Sequence, residues 1–220
     1  MTAGPRVLVV AKAPVAGQVK TRLGADIGMA AAAEVAAASL LDTMAACREA
    51  FGPDACLLSL AGDFADAVRG SELTRAAEGW SVARQRGITL AERLANAHLD
   101  VPLGGPVVQV GMDTPQLTPA LLADVAAATD DHDAVLGPAD DGGWWVLGVQ
   151  DPAMAGCLCD VPMSQPDTGA RTLLALFDAG LGVRLVDELA DVDTIADIDG
   201  VRCACAPTGR FAQTTRTAGV

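Results

Sequence analysis

The sequence predicts an α/β protein with a mostly parallel sheet and helices on both faces. Two observations carry that expectation. Short, continuous, β-branched apolar runs alternate with helical patterns along the chain, the order that builds parallel sheets. The 220 residues, 51% hydrophobic and 20% charged, are enough for one domain with a real core and are unlike a disordered chain.

Each element has its own reason. Arg6–Ala11 is short, apolar and valine-rich, hence a buried strand. A loop with Pro14, Gly17 and Gly24 follows. Met29–Ala50 is a helix, since ten of the 21 residues from Ala30 to Ala50 are alanine, the best helix former. Gly52-Pro53-Asp54 breaks the chain before a strand at Ala55–Leu60. Short helical pieces fall at Asp63–Arg69 and Glu72–Glu78, and a short strand at Trp80–Arg84. Thr89 caps a helix to Leu99, with Glu92 closing a capping box. Pro106–Gly111 is a strand with an apolar core apart from Gln109. Thr118-Pro119 opens a helix to Thr129, proline taking the first helical position. Asp133–Gly137 and Trp144–Val149 are strands, Thr172–Ala179 a helix, Val183–Val186 a strand, and Asp191–Asp199 an acidic turn with a short helix. From Cys203 the residues are small, polar and unpatterned. The expected organisation is therefore one domain over 1–202 and a flexible tail over 203–220.

Composition excludes several functions. The net charge is −13, from 15 Lys+Arg against 28 Asp+Glu, which disfavours nucleic acid polymers and anionic membranes as partners. No stretch approaches the ~20 uninterrupted apolar residues of a membrane span. The run Val7–Ala11 is too short for a signal-peptide core, so a cytoplasmic location is expected. Six cysteines are too few for a disulfide scaffold, and the pairs Cys157/Cys159 and Cys203/Cys205 lack zinc-knuckle spacing. There is no G-x-S-x-G elbow, no H-E-x-x-H and no G-x-G-x-x-G after the first strand. The only histidines are His98 and His132, which argues against a histidine-dependent hydrolase.

Sheets of this kind bind ligands at the carboxyl ends of their strands, and four segments there could carry chemistry. The loop after the first strand holds Lys12, Gly17, Lys20, Thr21 and Arg22. Lys12 and Lys20 are the chain's only lysines, and no acid precedes Asp26. Such a segment either grips phosphate or is a solvated basic loop. Gly111-Met112-Asp113-Thr114-Pro115 puts a carboxylate at a strand end, as a Mg²⁺ ligand against a diphosphate or as an Asx turn. Gly137-Pro-Ala-Asp-Asp141-Gly142-Gly143-Trp144-Trp145 joins two strands; one tryptophan is core and its neighbour faces the other way, toward a ligand or into a hairpin. Asp191-Val-Asp193-Thr194 places two acids on one side of an extended segment, for metal binding with Asp113 or for capping the next helix.

Five strings occur in order: Lys12-Ala-Pro-Val-Ala-Gly17 with Val19-Lys-Thr-Arg-Leu23, Gln85 with Leu90-Ala-Glu-Arg93, Gly111-x-Asp113-x-Pro115, Gly137-Pro-Ala-Asp-Asp-Gly-Gly143, and Asp191-Val-Asp-Thr194. Together they resemble the bacterial glycosyltransferase-A-like family often labelled "transferase 1, rSAM/selenodomain-associated", within the nucleotide-diphospho-sugar transferase superfamily. Phospholactate and molybdenum-cofactor guanylyltransferases are more distant relatives. The resemblance spans roughly Val7 to Val201. It implies a GT-A fold, a Rossmann-like αβα sandwich, and a metal-dependent transferase using Mg²⁺ or Mn²⁺, a nucleotide or nucleotide-sugar and a small-molecule acceptor. Lys12, Gly17, Lys20, Thr21 and Arg22 would bind the nucleotide, with Gln85 and Gly87 near its base. Asp113, with Asp193 or Asp191, would hold the metal. Asp141, Gly142, Gly143, Trp144 and Ser164 would border the acceptor. The metal held by Asp113, with Lys20 and Arg22, would stabilise the diphosphate leaving group, and Asp141 is the nearest candidate base. Two departures bear on substrate: Met163-Ser164-Gln165 stands where many members have Trp-Ser-Thr, and Gly111–Pro115 holds one aspartate rather than D-x-D. Glycosyl transfer from an NDP-sugar, nucleotidyl transfer from a triphosphate and non-catalytic nucleotide binding all fit these residues.

Overall fold

A computed structural model describes residues 4–102 and 104–220. Seven strands form one sheet: β1 (Arg6–Lys12), β2 (Cys56–Ala61), β3 (Ser81–Arg84), β4 (Val107–Val110), β5 (Ala134–Pro138), β6 (Trp144–Val149) and β7 (Val183–Leu185). Their order is β3-β2-β1-β4-β6-β5-β7. All neighbours are parallel except β6, which runs antiparallel to both β4 and β5. The expected mostly parallel α/β architecture is thus what the chain adopts.

Helices cover both faces. They are α1 (Thr21–Ile27), α2 (Met29–Phe51), α3 (Gly70–Ala76), α4 (Leu90–Leu99), α5 (Pro119–Ala128), α6 (Thr168–Asp178), α7 (Ile195–Ala204) and α8 (Arg210–Ala218). Side chains alternate across a strand, so β1 feeds two cores. Val7 and Val9 join Leu40 and Met44 of α2 and Leu122 of α5 on one face. Leu8 and Val10 join Leu94 of α4 and Leu176 of α6 on the other. Alanine suits α2 twice over: it favours the helix and lets that helix sit close to the sheet. Among the described residues α2 alone is long and apolar enough to cross a bilayer, but 72% of its most apolar window is buried in this fold.

Local rules hold where they are strongest. The Thr89 hydroxyl accepts the Glu92 N–H at 3.1 Å and the Glu92 carboxylate accepts the Thr89 N–H at 3.3 Å, which completes the capping box. Thr118 caps α5, with Pro119 at its first position. α6 begins at Thr168, four residues earlier than Thr172. There the Thr168 hydroxyl accepts the Gln165 N–H at 3.0 Å and donates to the Pro162 carbonyl at 3.0 Å. The sequence reading passed over α1 and the 3₁₀ stretch Pro152–Asp160.

The expectation of a flexible tail from Cys203 is corrected. Cys203 belongs to α7, and α8 docks through Phe211, Ala212 and Thr215, all fully buried. They pack with Leu23, Ala32, Val35 and Ile198 in a third cluster, or lie beside it. The Asp42 carboxylate on α2 accepts the N–H groups of Arg210 at 3.1 Å and Phe211 at 2.9 Å, so it caps α8 from another element. One large apolar residue in the segment gave too weak a period to read, and its cap lies far away in sequence.

Candidate active site

β2 and β3 lie on one side of β1, whereas β4 lies on the other. The connections after β1 and β4 therefore diverge and leave a crevice at the carboxyl edge of the sheet. A cleft of about 450 Å³ opens there, lined among others by Lys12, Gln85, Gly111, Asp113, Asp141, Trp144 and Ser164.

Lys20 is turned into this edge by its backbone. It has φ of 46° at the start of α1, an uncommon left-handed conformation for a non-glycine residue. Its side chain is 4% exposed, with Nζ 2.7 Å from Asp113 Oδ1 and 3.1 Å from Asp193 Oδ1. It also donates to the Val192 carbonyl. Burial would lower the pKa of this ammonium, but Asp113 and Asp193 outweigh it and hold it above its ordinary value. The Ser39 hydroxyl on α2 donates to the Met112 carbonyl at 2.7 Å, and the Val192 N–H donates to the Asp113 carbonyl at 3.2 Å. These bonds tie the loop after β4 to the segment before α7.

That segment divides its roles. Thr194 is the N-cap of α7, and the Asp197 carboxylate accepts the N–H groups of Asp193 at 3.0 Å and Thr194 at 2.6 Å. Asp193 is thereby left to face Lys20 and, at 3.5 Å, Arg22.

The acids assemble differently from the expected pairing of Asp113 with Asp191 or Asp193. Carboxylate oxygens of Asp141, Asp191 and Asp193 lie within 4.8 Å of one another, while Asp113 pairs with Lys20. Burial pushes Asp191 up to about 7, helped by the charges of Asp141 and Asp193. Three hard oxygen donors from separate carboxylates suit a hard divalent cation such as Mg²⁺ or Mn²⁺, which binds carboxylate oxygen.

Asp141 reaches the group through a tight connection between β5 and β6. Its Oδ1 accepts the Gly143 N–H at 2.7 Å. Gly142 has φ of +87°, and a Cβ there would come within 1.9 Å of the Pro166 carbonyl oxygen. Only glycine allows both the conformation and the approach. Trp145 is core, its indole N–H donating to the Asp187 carbonyl at 2.9 Å, and Trp144 lines the cleft. Ser164 also lines it, with φ of 58°.

The remaining expected residues are more peripheral. Lys12 is exposed at the cleft, its ammonium on the Gln18 carbonyl at 2.9 Å. Gly17 makes a turn at φ of 77°, Thr21 is exposed as the first residue of α1, and Arg22 is 76% exposed. The Gln85 amide donates to the carbonyls of Ala11 at 3.0 Å and Ser59 at 3.1 Å, bridging strand ends beneath the cleft. Gly87 packs on α4, where a Cβ would lie 2.8 Å from that of Glu92. Met163 lines the cleft beside Ser164, as the departure at Met163-Ser164-Gln165 anticipated, whereas Arg93, Gln109 and Thr168 were not among the expected site residues. Gln109, the lone polar residue of an apolar strand, carried a visible signal.

Comparison with known proteins bears on the family and the fold. The family described as "Uncharacterized protein conserved in bacteria (DUF2064)" matches residues 43–165, over half of the chain. No curated protein matches the sequence. The crystal structure of a protein from Desulfovibrio desulfuricans, provisionally named a nucleotide-diphospho-sugar transferase, is similar at a TM-score of 0.83 and 22% identity, covering 100% of this chain and 96% of that one. Rv0371c from Mycobacterium tuberculosis, in complex with manganese, is similar at a TM-score of 0.51 and 22% identity, over 90% of this chain and 98% of that one. CMP:2-keto-3-deoxy-manno-octonic acid synthetase with CTP is similar at 0.54 and 12%, over 91% of this chain and 98% of that one. The fold is that of the nucleotide-diphospho-sugar transferases.

Proposed function

The chain belongs to the DUF2064 family, and from its site we propose a divalent-metal-dependent transferase that uses a nucleotide-activated donor, an NDP-sugar in the first instance. One observation carries the reading. A buried lysine and four aspartates, Asp113, Asp141, Asp191 and Asp193, converge beside a cleft at the point where strand order reverses. Structural neighbours bound to CTP and to manganese support it.

Asp141, Asp191 and Asp193 would hold Mg²⁺ or Mn²⁺, which when bound supplies neutralising charge to a diphosphate. Arg22, exposed at the rim and within 3.5 Å of Asp193, is free to meet phosphate oxygens. Lys20 sits deeper and keeps Asp113 and Asp193 from repelling an approaching anion. An acceptor hydroxyl oxygen would bond to the donor carbon as the bond from that carbon to the diphosphate oxygen breaks, its proton passing to solvent, and Lys20 and Arg22 would stabilise the charge gathering on the departing nucleoside diphosphate. Trp144 and Ser164 border the acceptor. Nucleotidyl transfer is the second reading, favoured by the single aspartate in Gly111–Pro115.

Product analysis separates the two. With Mn²⁺ and an acceptor panel, glycosyl transfer releases a nucleoside diphosphate from an NDP-sugar, and nucleotidyl transfer releases pyrophosphate from a triphosphate. Calorimetric titration with UTP, CTP, GTP, ATP and their NDP-sugars accompanies it. No binding of any nucleotide, with or without metal, would overturn the proposal.

A further inference from the structure

Below the cleft lies a polar pair that the transferase chemistry leaves unused. Gln109, in the middle of β4, is 1% exposed yet lines the cleft. Its strand neighbours in register are Leu8 of β1 and Leu147 of β6, both fully buried. Its Oε1 is sealed from solvent without a hydrogen-bond partner. Behind it on α4 is His98, 0% exposed, with both ring nitrogens unpartnered. The imidazole faces the Gln109 amide, and burial pushes its pKa down to about 4, so it is neutral at pH 7.

Buried polar groups without partners are rare and costly. A glutamine in an apolar strand would be replaced by leucine or methionine at no loss if packing were its only task. Its amide is instead placed in the lining of the cleft. A neutral imidazole can turn its single N–H toward Oε1. That leaves the amide N–H donors for the cleft. Apolar residues of the same cleft, among them Val10, Leu94 and Met163, line it together with Gln85 and Arg93, and Asp113 and Asp141 line it too. Such a slot takes a flat, uncharged ring with a carbonyl on its edge.

We propose that Gln109, oriented by His98, is a specificity-determining residue that donates a hydrogen bond to the 4-keto oxygen of uracil or the 6-keto oxygen of guanine in the donor's base, and so selects against cytosine and adenine, which carry an amino group at that position. The inference rests on the nucleotide-activated donor proposed above. His98 acts through Gln109 and is a positioning residue.

The test is calorimetric titration of wild type, Gln109→Met and His98→Phe with UTP, CTP, GTP and ATP in the presence of Mn²⁺, alongside thermal melts. Wild type is expected to bind UTP over CTP, or GTP over ATP, by about tenfold or more, the size of one hydrogen bond gained or left unmade. Gln109→Met should bring that ratio close to one in a protein that still melts as a single cooperative transition. His98→Phe keeps the ring and frees the amide to rotate; it should narrow the same ratio, and it carries the test if Gln109→Met does not fold. Equal affinities in wild type, preference for amino bases, or an unchanged ratio in either variant would overturn this inference alone. A Gln109→Met protein that melts lower with its ratio intact would mark the residue as packing and overturn it too. A wild type that binds none of the four nucleotides overturns the transferase reading, and this inference with it.

Discussion

Asp191→Asn should stabilise the protein above neutral pH and leave it nearly unchanged at pH 4. Burial and the charges of Asp141 and Asp193 raise the Asp191 pKa from 3.8 to about 7 in the folded protein. The sign follows by linkage. Below pH 3.8 the carboxyl is protonated folded and unfolded alike. Between there and pH 7 the unfolded chain gives up its proton and the folded one keeps it, so stability falls as pH rises. Each tenfold change in acidity is worth about 1.4 kcal/mol, which caps the loss at about 4 kcal/mol. Asp191 is only partly buried, and solvent screening brings the expected figure to about 1–2 kcal/mol. For a chain of this length that is about 3–6 °C in melting temperature. The assay is thermal denaturation of wild type and Asp191→Asn at pH 4, 6 and 8, with chelator present. Adding Mn²⁺ at pH 8 should recover the loss in wild type and do less for Asp191→Asn, which has one ionised ligand fewer. Parallel pH profiles for the two proteins would refute the reasoning, since the carboxyl would then titrate alike folded and unfolded.

Other expectations follow from single contacts. Phe211→Ala should cost about 3–5 kcal/mol, and truncation after Cys205 should lower the melting temperature by several degrees or more, because both strip the cluster of Leu23, Ala32 and Val35. Calorimetry or urea denaturation reads both. Gly142→Ala forces a Cβ into the Pro166 carbonyl at a left-handed φ, so it should destabilise by about 1–3 kcal/mol and weaken Mn²⁺ binding by displacing Asp141. Lys20→Met leaves the acids without their buried cation; Mn²⁺ should raise its melting temperature by more than it raises that of wild type. Lys20→Arg should behave more like Lys20→Met than like wild type, as judged by the same melts.

The strands were legible because both faces of the sheet are covered, and two-sided burial writes itself as an unbroken apolar run. β1 is the clearest case, with Val7 and Val9 in one core and Leu8 and Val10 in the other. The capping box at Thr89 was legible because all its partners lie within four residues. The basic loop stood out as the place where both lysines fall. What could not be read were groupings that close over long separations. Asp141 joins Asp191 and Asp193 where Gly142 folds back onto Pro166, and α8 docks through Phe211 and Ala212 with Asp42 on α2 as its cap.

The choice of lysine at position 20 shows how such a grouping reaches back into the sequence. Its ammonium has three donors and three acceptors around it: Asp113 Oδ1, Asp193 Oδ1 and the Val192 carbonyl. A compact point charge on a thin stem meets all three from inside a pocket that leaves the side chain 4% exposed. A planar guanidinium carries five donors in a rigid fork, and some would be buried there without partners. Every other basic residue except Lys12 is an arginine, so the lysine at this point reflects the site rather than the habit of the chain. Lys20 also has a left-handed backbone at the start of α1, where its side chain is buried while that of Arg22, two residues on, is exposed. Residue type and backbone conformation, unrelated in the sequence, thus converge on one requirement: a fixed cation inside an acidic group.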